Sequence, residues 1–332
     1  MSNKIRWGVL STAQIGVQKV IPAIQKSKLG QVTAICSRHT EQAQKVANEL
    51  NIAKAYGSYD ELLNDPNIDA IYNPLPNHLH VEWTLKSLHA GKHVLCEKPI
   101  GLSKEEAAFL AAQSAKYPKL KVMEAFMYRF HPQWSKVKQL IADGAIGQVR
   151  TVESFFSYYN VDPKNIRNKP EIGGGALMDI GCYCISFPRF IFGEEPATVL
   201  GNMEFDPVMK TDRLSSGILD FSAGKTATFT CSTQLTPFQQ VSVFGENGYI
   251  VIESPVYRPP HEMTKITLTT NDESNEICIE ATDQYSLQAD AFAHAILNDL
   301  PVPTPLDDAI GNMAVIDAVR ESASTGKRVI LS

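Results

Sequence analysis

The stretch "WGVLSTAQIG", residues 7–16, joins a buried-looking apolar run to a segment of helical spacing. Its outline is that of the G-x-G-x-x-G turn, with Ser11, Ala13 and Gly16 at the three glycine positions. In that turn the first glycine makes the bend, the second lets a pyrophosphate approach the backbone, and the third lets helix pack on strand. Ser and Ala are the smallest replacements, so close approach is kept. The amides at the helix start, Ala13, Gln14 and Ile15, can meet an anion, and Ser11 and Thr12 add hydroxyl donors. An ordinary strand-to-helix turn shares this outline, so the rest of the chain has to decide between the two.

Working outward, strand-like and helical runs alternate. "IRWGVL", "QVTAICS", "IDAIYN", "KHVLCE" and "LKVMEAF" read as strands. "AQIGVQKVIPAIQKS", "TEQAQKVANEL", "HLHVEWTLKSLHAG" and "SKEEAAFLAAQSAKY" read as helices, the third stopped by Gly91 and the last opened by a Ser103/Glu106 capping box. Such alternation predicts a parallel sheet covered by helices on both faces. A helix over 131–143 follows. From 148 to 279 strands dominate, several alternating apolar with polar as in an antiparallel sheet with one wet face. "GALMDIGCYCISFPRFIFG" interrupts them as a helix. Helices near 285–298 and 307–324 close the chain, with Asp307 as N-cap of the second. The expected class is α/β: an N-terminal Rossmann dinucleotide-binding domain, residues 1–125, and a C-terminal α+β domain, residues 126–332, with an open, mostly antiparallel sheet.

The end of the second strand bears on which nucleotide binds. NAD enzymes commonly carry Asp or Glu there to accept the ribose 2′-hydroxyl. Here "AICSRHT" supplies Ser37, Arg38 and His39 after Cys36. Arg38 offers a fork of donors and Ser37 a hydroxyl, while no carboxylate repels a 2′-phosphate. The expected cofactor is NADP. Pro74, Leu75, Asn77 and His78 open the helix beyond "IDAIYN" and are further cofactor-side candidates. His80 belongs to the same cluster, either touching the cofactor or capping the helix.

"GKHVLCEKP" sets Glu97 and Lys98 at the carboxyl end of a buried strand, the edge where open α/β sheets bind ligands. A charged pair there costs desolvation unless it acts or is well paired. "GGGALMDIGCY", residues 173–183, puts Asp179 and Tyr183 at i and i+4, on one helical face behind a flexible glycine lead. Both motifs are candidates for proton chemistry.

The bulk numbers narrow the classes. Among 332 residues, 44% are apolar and 20% charged, and the net charge is −5 with no block of like charge. A phosphate-backbone binder needs a basic stripe, so nucleic acid is excluded as a partner. No run approaches the ~18 apolar residues of a membrane helix. The six cysteines, at 36, 96, 182, 184, 231 and 278, form no C-x-x-C, and no ligand set suggests a metal. A reduced cytoplasmic protein is expected.

Taken together, "EKP" after a short strand and "GGGALMDIGCY" beyond it resemble the glucose-fructose oxidoreductase/inositol dehydrogenase/MocA family. The resemblance extends through "PLPNHLH", "EAFMYRFHP", "GAIGQVRTV" and "YSLQADAFAHAI". Its nearest branch is that of the dihydrodiol and NADP-dependent sugar dehydrogenases. The resemblance implies an NADP-dependent oxidoreductase acting on a sugar or cyclic diol. It also implies a homodimer or homotetramer joined through the C-terminal sheet. It carries the family's catalytic lysine onto Lys98, its aspartate onto Asp179, and a basic residue approaching the cofactor onto Arg167. Tyr183 stands where inositol dehydrogenase-like members have His, which disfavours an inositol substrate.

Free Tyr, with a pKa of about 10, is a poor base at neutral pH. An ammonium about 4 Å away contributes roughly 4 kcal/mol at an effective dielectric of 20, enough to lower that pKa by two to three units. Tyr183 is therefore expected to be the general acid/base and Lys98 the group that lowers its pKa, with Asp179 holding a substrate hydroxyl or Lys98. The alternative has Lys98 as the proton carrier and Tyr183 only binding. Two rival functions fit the same fold: a non-catalytic NADP-binding regulator, and a redox-neutral nicotinamide-dependent glycosidase. Arg129 and His131 are expected beside the domain junction, in substrate contact or packing. Tyr285 is expected near the cleft or in the core.

Overall fold

Five apolar runs with almost no polar alternation, the pattern of strands covered on both faces, build most of the first sheet. The computed structural model describes residues 4–271 and 273–331. It divides into two compact units, Met1–Met127 with Asp283–Ile310, and Tyr128–Thr282 with Gly311–Ser332.

In the first unit, strands β1 (Ile5–Val9), β2 (Gly30–Cys36), β3 (Lys54–Tyr56), β4 (Ala70–Asn73), β5 (His93–Cys96) and β6 (Val122–Glu124) form one sheet. Its order is β3-β2-β1-β4-β5-β6, and every pair is parallel. Trp7, Val9, Ile71, Val94 and Leu95 are fully buried in it. The short edge strand β3 has no apolar run to announce it. The expected caps form: Ser103 Oγ accepts the Glu106 amide at 3.3 Å, Glu106 accepts the Leu102 amide at 2.8 Å, and Gly91 ends its helix at φ +74°.

The helix after β1 starts as a π-turn, Gly16–Val20, before its α-helical part Ile21–Lys26. Pro22 sits in the first turn of that part and has no amide to donate, which a wider turn accommodates.

Helix Gln284–Leu297 belongs to this unit, which corrects the expected division at 125/126. Asp290 accepts from Ser27 Oγ at 2.5 Å and from the Leu29 amide at 3.0 Å. Ser286 Oγ donates to the Ala23 carbonyl at 2.9 Å, and the Phe292 ring lies 5.6 Å from that of Trp7. The helix caps the start of β2 and covers β1, contacts that chain order does not reveal. A second correction concerns Asp307: the last helix begins at Leu306, so Asp307 lies in its first turn, where its charge still suits the helix dipole.

The second unit is built on β7 (Val149–Tyr159), β8 (Thr198–Phe205), β9 (Asp212–Asp220), β10 (Thr226–Ser232), β11 (Gln234–Gly245), β12 (Gly248–Ile252), β13 (Thr264–Thr270), β14 (Glu273–Ile279) and β15 (Val329–Ile330). The order is β14-β13-β12-β11-β7-β10-β9-β8-β15, antiparallel except for β7 with β10. One face is apolar: Val152, Phe156, Val241, Val243, Ile250, Ala227 and Phe229 are buried. Helix Cys182–Phe192 packs against this face on β7 and β10. The opposite face leaves Phe238, Tyr249 and Ile218 exposed. The run Pro170–Phe192 is long and apolar enough by composition to cross a membrane, yet 78% of that window is buried inside the fold. It is the core helix of this sheet.

Candidate active site

In the first unit, the cofactor-side residues singled out from the sequence follow the carboxyl ends of parallel strands: Ser11–Ile15 after β1, Ser37–His39 after β2, Pro74–His78 after β4, and Glu97 and Lys98 after β5. Parallel strands share one carboxyl edge, so the four turns converge on it, around the β1/β4 point where strand order reverses. Ser11 takes φ +72°, the left-handed conformation for which the fingerprint uses glycine, and its Oγ accepts the Ala13 amide at 3.2 Å. A Cβ on Gly16 would make only ordinary contact with Tyr72, Pro74 and Val9, so the approach of helix to strand at this third position does not itself require glycine. Ser37 is buried, its Oγ accepting the His39 amide at 3.4 Å, while Arg38 and His39 are exposed. These turns offer amides and hydroxyls that suit a dinucleotide phosphate.

Lys98 is bracketed by anchored neighbours. Glu97 accepts from the buried Tyr72 hydroxyl at 2.6 Å. Burial, with the Glu97 charge beside it, pushes the Tyr72 phenol up, so it stays a donor. On the other side the Ile100 amide donates to Glu124 at 2.8 Å, and the Pro99 carbonyl lies 2.7 Å from His80 Nδ1. His80 Nε2 is 2.6 Å from the Leu75 carbonyl, so this one ring ties the Pro74–His78 turn to the Lys98 turn. Burial pushes His80 down to about 4, against the pull of the two carbonyls. His80 is thus a strut between turns.

In the second unit, Asp179 lies on a π-turn, Leu177–Gly181, that runs into helix Cys182–Phe192 carrying Tyr183. Asp179 Oδ2 accepts from Tyr158 at 2.6 Å and from Arg167 Nε at 2.9 Å. The Tyr183 ring meets Phe156 at 6.1 Å, Tyr128 at 6.0 Å and Tyr257 at 6.3 Å. Phe156 and Tyr158 are two apart on β7 and share a face. Asp179 and Tyr183 therefore look onto the same strand face, as their i, i+4 spacing predicts. The negative charge of Asp179 raises the Arg167 guanidinium further, while burial and then Asp179 hold Tyr158 as a phenol.

The glycine lead is packed rather than slack, contrary to expectation. Gly174 and Gly175 donate to the Lys169 and Arg167 carbonyls at 2.9 and 2.8 Å. Gly175 has φ +116°, and a Cβ there would run into Asp212. Asp212 in turn accepts the Leu177 amide at 2.7 Å, and burial raises it to about 6.

Arg129 and His131 are engaged within this unit: Arg129 donates to Ser186 Oγ at 2.9 Å, and His131 Nδ1 accepts the Gln133 amide at 3.2 Å as N-cap. Tyr285 is buried in the first unit. Sequence reasoning missed Tyr158, Phe156 and Tyr257. Tyr158 and Phe156 sit in an aromatic-rich strand, and no local pattern marks which side chains meet Asp179 or Tyr183. Among the described residues, no three His, Cys, Asp or Glu side chains cluster to hold a metal.

This strand order with ligand-ready turns along one carboxyl edge defines a dinucleotide-binding α/β protein carrying a second, sheet-based unit. The chain belongs to the GFO/IDH/MocA oxidoreductase family: residues 5–126 match its NAD-binding Rossmann fold and 134–251 its C-terminal domain. An uncharacterised oxidoreductase of Rhizobium meliloti is 41% identical over 97% of this chain and 98% of its own. The NADP-dependent D-xylose 1-dehydrogenase 2 of Haloferax volcanii is 37% identical over 98% and 99%. A solved 3-ketoreductase of Actinomadura kijaniata, in complex with NADP and TDP-benzene, superposes with a TM-score of 0.92 at 29% identity, covering 96% of this chain and 98% of that one. The protein is an oxidoreductase.

Proposed function

We propose that this oxidoreductase uses NADP and works on a carbinol or carbonyl of a sugar or cyclic diol. The observation that carries the cofactor preference is the turn after β2, where Ser37, Arg38 and His39 stand and no carboxylate does. NADP in the name of the xylose dehydrogenase and in the ketoreductase complex supports it. The first unit holds the cofactor through Ser11–Ile15, Ser37–His39, Pro74, Leu75, Asn77, His78, Glu97 and Lys98, and the second holds the substrate.

When bound, the nicotinamide supplies the hydride acceptor, or the donor in reduction. Tyr183 takes or gives the proton at its phenolic oxygen. The Lys98 ammonium lowers the pKa of that phenol and orients the reacting hydroxyl; the turns anchored on both sides of it keep it in place. Asp179, fixed by Arg167 and Tyr158, binds a second substrate hydroxyl, and the rest of the Arg167 guanidinium is offered to the cofactor. We place the enzyme in the cytoplasm, as a homodimer or homotetramer joined through the exposed sheet face.

The test is absorbance at the NADPH band, with NADP and then NAD, against aldoses and cyclic diols, and with keto-sugars in reverse. NADP-linked turnover is expected. Tyr183→Phe should lose about 10²–10⁴ in kcat with NADP affinity kept. Full activity in Tyr183→Phe would overturn the assignment of the proton carrier. Turnover of a glycoside with no absorbance change would overturn net oxidoreduction.

A further inference from the structure

The second unit holds a cavity of about 720 Å³ whose lining includes Phe156, Tyr158, Tyr257, Gln239 and Glu253. We propose that this cavity takes an uncharged sugar or diol ring and discriminates against phosphorylated and nucleotide-linked sugars, with Tyr257 and Glu253 setting that choice and Gln239 as a positioning residue. The proposal rests on the assignment of Tyr183, because two of the lining rings, Phe156 and Tyr257, pack against the Tyr183 ring.

Three features carry it. First, three of the lining side chains, Phe156, Tyr158 and Tyr257, are aromatic, and flat apolar faces suit the C–H faces of a saturated ring. Second, the charge is wrong for an anion. Among the described residues, Glu253 is the one charged lining residue, and no Lys, Arg or His lines the cavity. Phosphate recognition depends on guanidinium, ammonium or helix-start amides. Of the nearby cations, Arg167 is paired with Asp179 and its remaining donors are assigned to the cofactor, and Arg258 is paired with Glu262 and Ser254. A carboxylate accepts hydrogen bonds from neutral hydroxyls and repels a phosphate.

Third, the wall is built rather than incidental. Gln239 turns both ends of its amide to the segment bearing Tyr257. Its Oε1 accepts the Val256 and Tyr257 amides, both at 3.1 Å, and its Nε2 donates to the Tyr257 carbonyl at 2.7 Å. That holds the Tyr257 ring 5.8 Å from Phe156. An ordered aromatic wall loses less freedom on binding than a mobile one.

The experiment uses the full chain with NADP and a matched series. D-glucose, D-xylose and trans-cyclohexane-1,2-diol are set against D-glucose 6-phosphate and dTDP-D-glucose. Each is read as absorbance change and, separately, as binding by saturation-transfer NMR. At least one neutral member should bind and turn over with a KM at least about tenfold below that of the anionic members. Glu253→Lys should shrink that ratio from both sides, raising KM for the neutral member and lowering it for the anionic members. Gln239→Ala and Tyr257→Ala should each raise the neutral KM about tenfold with a much smaller change in kcat. A merely structural role for Gln239 would lower active enzyme without that split.

Preference for the anionic members, binding by no neutral member, or an unchanged ratio in Glu253→Lys would each overturn the proposal. Neutral binding that depends on Tyr257 but produces no absorbance change would instead sink the NADP-linked reaction and leave the cavity assignment standing.

Discussion

Ser11 does the work of a glycine. It bends the chain at φ +72° and turns its own hydroxyl back onto the Ala13 amide, which offsets part of the cost of a side chain in that region. The departure from the fingerprint at this position thus still gives the motif's geometry. At the next turn, Arg38 is exposed at the end of β2, free of the packing roles that bury its neighbour Ser37. Arg38→Ala is expected to raise KM for NADP by about ten- to a hundredfold and leave KM for NAD nearly unchanged, as initial rates with each cofactor would show. Equal losses for both would remove Arg38 from the 2′-phosphate. Ser11, Arg38, Lys98 and Tyr183 were all legible from residue type and position. Tyr158 and Tyr257 were not, because an aromatic residue in a strand or loop reads the same whether it meets core or site.

At the scale of elements, the glycine lead and the strut between turns decide what the site can tolerate. Gly175→Ala must force a side chain into a left-handed backbone and against Asp212. A loss on the order of 3 kcal/mol is expected, visible as a lower thermal midpoint. An unchanged midpoint would mean the lead is slack after all. Two buried groups make the pH dependence of stability distinctive. Burial holds His80 at about 4 instead of 6.5, so its stability is intact above the unfolded value and is lost as pH falls from 6.5 towards 4. Burial holds Asp212 at about 6 instead of 3.8, so the native state keeps a proton there, and stability is lost as pH rises from 3.8 through 6. Each effect amounts to about 3 kcal/mol. In urea titrations, the stability of wild type relative to His80→Asn should fall towards low pH, and relative to Asp212→Asn should fall towards high pH. Parallel curves for either variant would refute the protonation state assigned to that residue.

For the whole molecule, the nine-stranded sheet covers one face with a helix and leaves Phe238, Tyr249 and Ile218 exposed on the other. Apolar side chains spread over one sheet face suit association with a second copy. Sedimentation equilibrium of the full chain should give a dimer or tetramer, and Ile218→Lys with Tyr249→Lys should move it towards monomer with both units still folded. A wild type that sediments as monomer at micromolar concentration would end the assembly proposal.

What sequence alone settles here is local. Apolar runs without alternation specify the parallel strands, alternation specifies the half-wet sheet, and residues 11–16 specify a tight strand-to-helix turn. These are properties of neighbours a few residues apart, where backbone sterics and side-chain period act directly. The tertiary structure decides what pairs across the chain. It returns helix Gln284–Leu297 to β1 and β2, gives Asp179 to Tyr158 and Arg167, and lets Gln239 hold Tyr257. Those partners lie 12 to more than 200 residues apart. Periodicity says which face of an element is apolar but not which distant surface will cover it, and only packing the whole chain makes that choice.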